Sequence, residues 1–288
     1  MRKLARRVAA ASIRHLATAL FLNHDRRRVY LAVFSKFVGY FDASGKATDP
    51  LVLYVSGFVS TEAKWLRFER EWGALLKRYD LTDFHTTNYV RGLDPEYARF
   101  KNNDAERDAF EAEAIRTIKR NTLKPFSNGI VLDAHRQLLS QYVVPSGYER
   151  PYSFCATMAF YSVMVWFSKQ PRKKRATPDA RIRMIFEDGE DSADWNPFSD
   201  TVYQEFGRRP VPQPKEDSPA QFQAADLLAW RHARLMKDSM SVDAGGPRPR
   251  REFFAGLFRQ LPHSNSCGYH TPESLMRHAA KMGYPRRA

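Results

Sequence analysis

The sequence predicts an α/β fold, a central sheet flanked by helices, preceded by a basic N-terminal extension. Three observations carry this. Two apolar strand-like runs stand close together near the start (37–41 and 51–60), and further strand-like runs then alternate with helical segments. The 288 residues, 43% hydrophobic and 27% charged, suffice for a sizeable core and are typical of a globular chain. The longest apolar-rich stretch, FCATMAFYSVMVWF (154–167), is too short to cross a bilayer and reads as a buried helix.

The elements follow in order. Phe37-Val38-Gly39-Tyr40-Phe41 is apolar on both alternating faces, as an interior strand requires, and Asp42 then stands at its rim ahead of a Ser44-Gly45 turn. LVLYVSGFVS (51–60) is the next strand. Trp65, Leu66, Phe68, Trp72, Leu75 and Leu76 then recur at helical spacing, with Ser60 or Thr61 as N-cap. A helix is expected over 103–121, a strand over 127–135, and the buried helix over 151–168. ARIRMIFEDGE (180–190) reads as a strand running into a turn, and 194–207 as a short helix after a proline. The Pro-rich stretch 208–220 reads as a loop, 220–237 as a helix, and the tail as helical. The expected organisation is a basic extension (1–35), one domain (36–240) and a helical tail (241–288).

Charge narrows the class of partner. The net charge of +14 points to a polyanion. Residues 1–41 hold nine Lys and Arg against one acid and residues 169–183 seven against one, so these two segments carry the whole excess. Arg172, Lys173, Lys174 and Arg175 are therefore the candidate contacts to a nucleic-acid backbone. The leading segment is free of acids before Asp25, a composition shared by amphipathic helices, sequence upstream of a domain and organellar transit peptides. Two cysteines imply no disulfide framework, so a reducing, cytoplasmic setting is expected, without a membrane.

Three carboxylates stand where a core would not place them. Asp42 ends an apolar strand, Glu187 ends another in a run of four acids (Glu187, Asp188, Glu190 and Asp191), and Asp226 lies among Ala224, Ala225, Leu227 and Leu228 on a helix. A buried, unpaired carboxylate costs several kcal/mol or takes up a proton. Acids converging on one rim of a sheet offer the oxygen ligands that Mg²⁺ or Mn²⁺ prefers, and such ions activate water against a phosphodiester. Each acid also has an ordinary reading: Asp42 as a turn residue, the acids at 187–191 as a solvated loop, Asp226 in an ion pair. A zinc site from His263, Cys267, His270 and His278 matches no familiar spacing.

YFDASGK (40–46), VSGFVST with KW and FEREW (55–72), FHTTNY (84–89), MIFEDGE (184–190) and QFQAADLLAW (221–230) together resemble the bacterial DUF3800 family. The resemblance spans about residues 36–237. That family's order is a D-E-S-G strand, an F-H segment, an F-E-x-G strand and a Q-x-A-D helix. The resemblance implies a ribonuclease H-like fold with a mixed, five-stranded sheet and a metal-dependent nuclease centre. By position, Asp42, Glu187 and Asp226 would be catalytic metal ligands and His85 a general acid or base. Asp188, Glu190, Ser44 and Gly45 would support the site, and Gln223 would orient a ligand or water. Two departures stand out, Ala43 where glutamate is usual and Asn88 where an acid often follows the histidine. The expected function is a Mg²⁺- or Mn²⁺-dependent nuclease. The alternative is a degenerate nucleic-acid-binding module on the same fold. A phosphotransferase would need a further Gly-rich phosphate loop, which the sequence lacks.

Overall fold

The computed structural model describes residues 37–45, 51–92, 94–101, 103–170, 182–187, 192–214, 219–244, 253–254 and 267–287. In chain order these form β1 (Phe37–Ser44), β2 (Val52–Ser60), α1 (Glu62–Arg78), α2 (Thr86–Arg91), a 3₁₀ segment (Pro95–Phe100), α3 (Asp104–Asn121), β3 (Lys124–Val131) and α4 (Leu132–Gln141). A short 3₁₀ turn (Ser146–Tyr148) leads to α5 (Pro151–Ser168), then β4 (Ile182–Glu187), α6 (Ser192–Phe206), β5 (Val211–Gln213), α7 (Gln221–Asp243), β6 (Cys267–His270) and α8 (Pro272–Lys281). The N-terminal extension and the basic stretch around 172–175 lie outside the described residues.

The strands form one sheet in the order β5-β4-β1-β2-β3-β6. Only β2 runs against the rest: it pairs antiparallel with β1 and β3, while β4 is parallel to β1, β5 to β4, and β6 to β3. This is an α/β, ribonuclease H-like architecture, a mixed sheet covered by helices on both faces, with six strands where five are expected. The extra strand is β6, in the tail read as wholly helical.

Side-chain alternation along β1 divides the core in two. Phe37 and Phe41 pack with α4, α5, α6 and α8 on one face. Val38 and Tyr40 pack with α1, α2, α3 and α7 on the other. Phe41 lies against Gly57, its direct partner on β2, and stacks on Phe186 of β4 with ring centroids 4.8 Å apart. A Cβ on Gly57 would come within 2.8 Å of the Phe41 ring and 2.0 Å of the Tyr40 carbonyl, so only glycine lets the ring lie flat there.

On the second face Trp65 and Trp72, both fully buried, line the inner side of α1 at the spacing the sequence suggests, and Trp65 Nε1 donates to the Val38 carbonyl (2.8 Å). Thr61 is the N-cap, accepting from the Lys64 amide at 3.3 Å. No helix among the described residues is long and apolar enough to cross a membrane.

Several boundaries differ from the sequence reading. The strand expected over 127–135 ends at Val131, and α4 begins at Leu132. Leu132, His135 and Leu138 are buried at a helical spacing of three, which outweighs the strand-like SNGIV before them. Pro197 lies inside α6 rather than ahead of it. The Pro-rich stretch contains β5, whose Pro212 is tolerated because β5 is the edge of the sheet.

Phe41→Ala is expected to cost about 3–5 kcal/mol, because it empties the contact between three strands and α6. Chemical denaturation followed by circular dichroism measures this.

Candidate active site

The register of β1 and β4 builds the first half of the site. Their last described pair is Phe41 with Phe186, so Asp42 and Glu187 come next, side by side where β4 ends and β1 has two residues left to run. Phe41 and Phe186 point to the α5 face, and alternation turns Asp42 and Glu187 to the α7 face. Neighbouring strands lie about 4.8 Å apart, so these two carboxylates crowd each other. Beyond Ser44 the chain turns at Gly45, whose φ of +95° lies in the left-handed region and whose Cβ would meet the Val52 carbonyl at 2.4 Å.

The second half comes from α7. Phe222 meets Tyr40 edge-on (5.4 Å between centroids), and Asp226 follows Phe222 by about one helical turn as Asp42 follows Tyr40 by two strand residues. Each step advances roughly 6 Å, which brings Asp226 toward Asp42. All three acids are half-buried, so the cluster remains open to solvent. Burial, then the charge of Glu187, then that of Asp226, hold the Asp42 carboxyl well above the usual carboxylate range, against the pull of the Ala43 amide. Burial raises Asp226 as well, opposed by His85 and by the Thr86 amide.

Both aspartates have one oxygen fixed by the main chain. The Ala43 amide donates to Asp42 Oδ1 (2.7 Å), and the Thr86 amide to Asp226 Oδ2 (2.8 Å). His85 stands just before α2, half-buried, with its Nδ1 buried and without a hydrogen-bond partner among the described residues. Gln223 Oε1 accepts from Trp72 Nε1 (2.7 Å) and from the Phe84 amide (3.1 Å), tying α7 to α1 and to the segment that carries His85.

The two departures from the family pattern fall away from this cluster. Ala43 packs against the α5-side core, on the face opposite Asp42. Asn88 donates from its amide to Asp94 (2.6 Å). Asp188 and Glu190 lie outside the described residues, as do Arg172, Lys173, Lys174 and Arg175. Ile182, the first described residue after that basic stretch, pairs with Phe37 at the opposite end of the sheet from Glu187. His270 packs edge-on to Phe154, where burial lowers its pKa to about 4, and His278 packs near Tyr284. His263 and the Cys267 side chain are outside the description.

The donor set of Asp42, Glu187 and Asp226 is oxygen only, crowded, anionic and partly open, which suits a hard divalent cation. Among the described residues, however, no three His, Cys, Asp or Glu side chains already stand in a metal-holding arrangement. The sequence reading missed Thr86 and Tyr97, which hold the site through main-chain amides and hydroxyls and leave no compositional signature.

Because the folded-state pKa of Asp42 is raised, its ionisation opposes folding: stability from this group is complete below about pH 4, its unfolded value, and is lost as pH rises through the folded value. In metal-free buffer Asp42→Asn should therefore melt at a higher temperature than the wild type at pH 7, and the gain should vanish toward pH 4. Thermal melts across that pH range measure it.

No family model and no curated protein matches the chain. Among solved structures it is similar to a chain of the PCNA:RNase HII complex from Archaeoglobus fulgidus, with 12% identity and a TM-score of 0.38, over 86% of this chain and 90% of that one.

Proposed function

We propose that the protein is a divalent-metal-dependent phosphodiesterase acting on nucleic acid, and a member of the DUF3800 family. The observation that carries this reading is the crowding of Asp42, Glu187 and Asp226, which leaves Asp42 with a strong preference for a proton or a cation beside it. A group of carboxylates kept half-exposed at the rim of β1 and β4 and on the facing helix α7 has no packing benefit to explain it, and neutralisation by Mg²⁺ or Mn²⁺ would relieve the repulsion.

In this reading Asp42, Glu187 and Asp226 would hold the metal. When bound, the ion would polarise the scissile phosphate and lower the pKa of attacking water. The protein's own contribution is orientation. The Ala43 and Thr86 amides each fix one carboxylate oxygen, of Asp42 and Asp226 respectively. His85, next to Asp226 and with Nδ1 lacking a hydrogen-bond partner among the described residues, would exchange a proton with the leaving oxygen. The net charge of +14 supports a polyanionic substrate, with the segments around 1–41 and 169–183 as backbone contacts.

A second reading, a nucleic-acid-binding module without catalysis, is favoured by one observation, the lack of a ready metal-holding trio among the described residues. It requires salt-sensitive binding that is indifferent to chelators and to the loss of Asp42 or Asp226.

Purified protein with Mn²⁺ or Mg²⁺ should cleave DNA or RNA, and Asp42→Asn, Glu187→Gln and Asp226→Asn should each lower the rate by about 100-fold or more, beyond the 10–100-fold typical of residues that only support a metal's ligands. Gel assays of labelled oligonucleotides measure this. Full cleavage by the Asp42→Asn, Asp226→Asn double variant would rule the reading out.

A further inference from the structure

The segment that carries His85 is gripped in an unusual way. Three successive main-chain amides each donate to a side chain from elsewhere: Phe84 to Gln223 Oε1 (3.1 Å), His85 to the Tyr97 hydroxyl (3.0 Å) and Thr86 to Asp226 Oδ2 (2.8 Å). The two outer amides go to α7 and the middle one to the opposite side, the alternation of an extended chain. Gln223 and Asp226 are three apart on α7, hence on one face, and present two acceptors where a neighbouring strand would present carbonyls. Tyr97 completes the grip from the 3₁₀ segment. It is 2% exposed, and its hydroxyl accepts from the His85 amide while donating to the Asp83 carbonyl (3.3 Å).

We propose that Tyr97 is a positioning residue for the acidic site: its hydroxyl fixes the 83–86 segment, and through the Thr86 amide it fixes which oxygen of Asp226 faces Asp42 and Glu187. The inference rests on the metal-site reading above. Removing the hydroxyl leaves the His85 amide and the Asp83 carbonyl without their partner and frees the peptide between Phe84 and His85 to rotate. That rotation is transmitted to Thr86, one residue on. The Asp226 carboxylate then loses its fixed orientation although Tyr97 never touches it.

The test compares Tyr97→Phe with Tyr89→Phe. Tyr89 belongs to the same aromatic cluster, with ring centroids 5.8 Å from Tyr97, and its hydroxyl donates to Glu111 (3.2 Å) rather than to the gripped segment. Both variants are first shown to be folded at the assay temperature by melting curves. In Tyr97→Phe the Phe84 and Thr86 amides should exchange with solvent at least about ten-fold faster, and Mn²⁺ affinity by calorimetry should fall about 10–100-fold, the usual effect of losing a partner that orients a metal ligand. In Tyr89→Phe both should stay near wild type. Equal Mn²⁺ affinity in the two variants overturns the proposal. If the wild type binds no Mn²⁺, the metal reading fails by itself, and the exchange rates still decide the grip: unchanged protection of Thr86 in Tyr97→Phe overturns it.

Discussion

The parallel pairing of β1 with β4 is the constraint on which the rest depends. It is locked by the stack of Phe41 on Phe186, which Gly57 admits and Phe198 covers from α6. Register and alternation are inseparable in a strand, so the pairing that buries two phenyl rings on one face places Asp42 and Glu187 together on the other. A slip of one residue would bury the carboxylates in the α5-side core. The apolar packing thus enforces an electrostatic arrangement that the carboxylates by themselves oppose.

Helix α7 adds a third acid, whose charge raises the Asp42 pKa further. It delivers Asp226, and it uses Gln223 and Asp226 together to hold the segment that carries His85 and Thr86. Main-chain amides are well suited to this task, since each donates a single, geometrically fixed hydrogen bond and carries no titrating charge of its own. The fold therefore orients one oxygen of each aspartate through an uncharged main-chain donor.

Much of this was legible in the sequence. The apolar run 37–41 interrupted by Asp42, the IRMIF strand ending in Glu187, and Asp226 amid alanines and leucines each break a local pattern, and such breaks reveal residues placed for something other than packing. The α/β class followed from strand and helix alternation, whereas the mixed character of the sheet was implied only by the family resemblance and the order of its strands was not read at all. Partners set by distant backbone geometry were hidden. Tyr97 sits in DPEYARF, where nothing distinguishes it from a core tyrosine, and Gln223 is tied to Trp72 and Phe84, residues about 140–150 positions away. Ala43 read as a lost ligand because the sequence alone gives the residue and not its face, whereas alternation turns it toward α5. The strand β6 escaped because four residues in a polar tail give too short a period to recognise.

The central claim is that one rim of the sheet is built to hold a divalent cation between Asp42, Glu187 and Asp226. Anomalous diffraction from crystals soaked in Mn²⁺ tests it most directly. A Mn²⁺ peak bounded by oxygens of these three residues, at the 2.0–2.6 Å expected for hard cations, is the predicted result. An empty rim, or a peak held by other residues while these three remain uncoordinated, would contradict it.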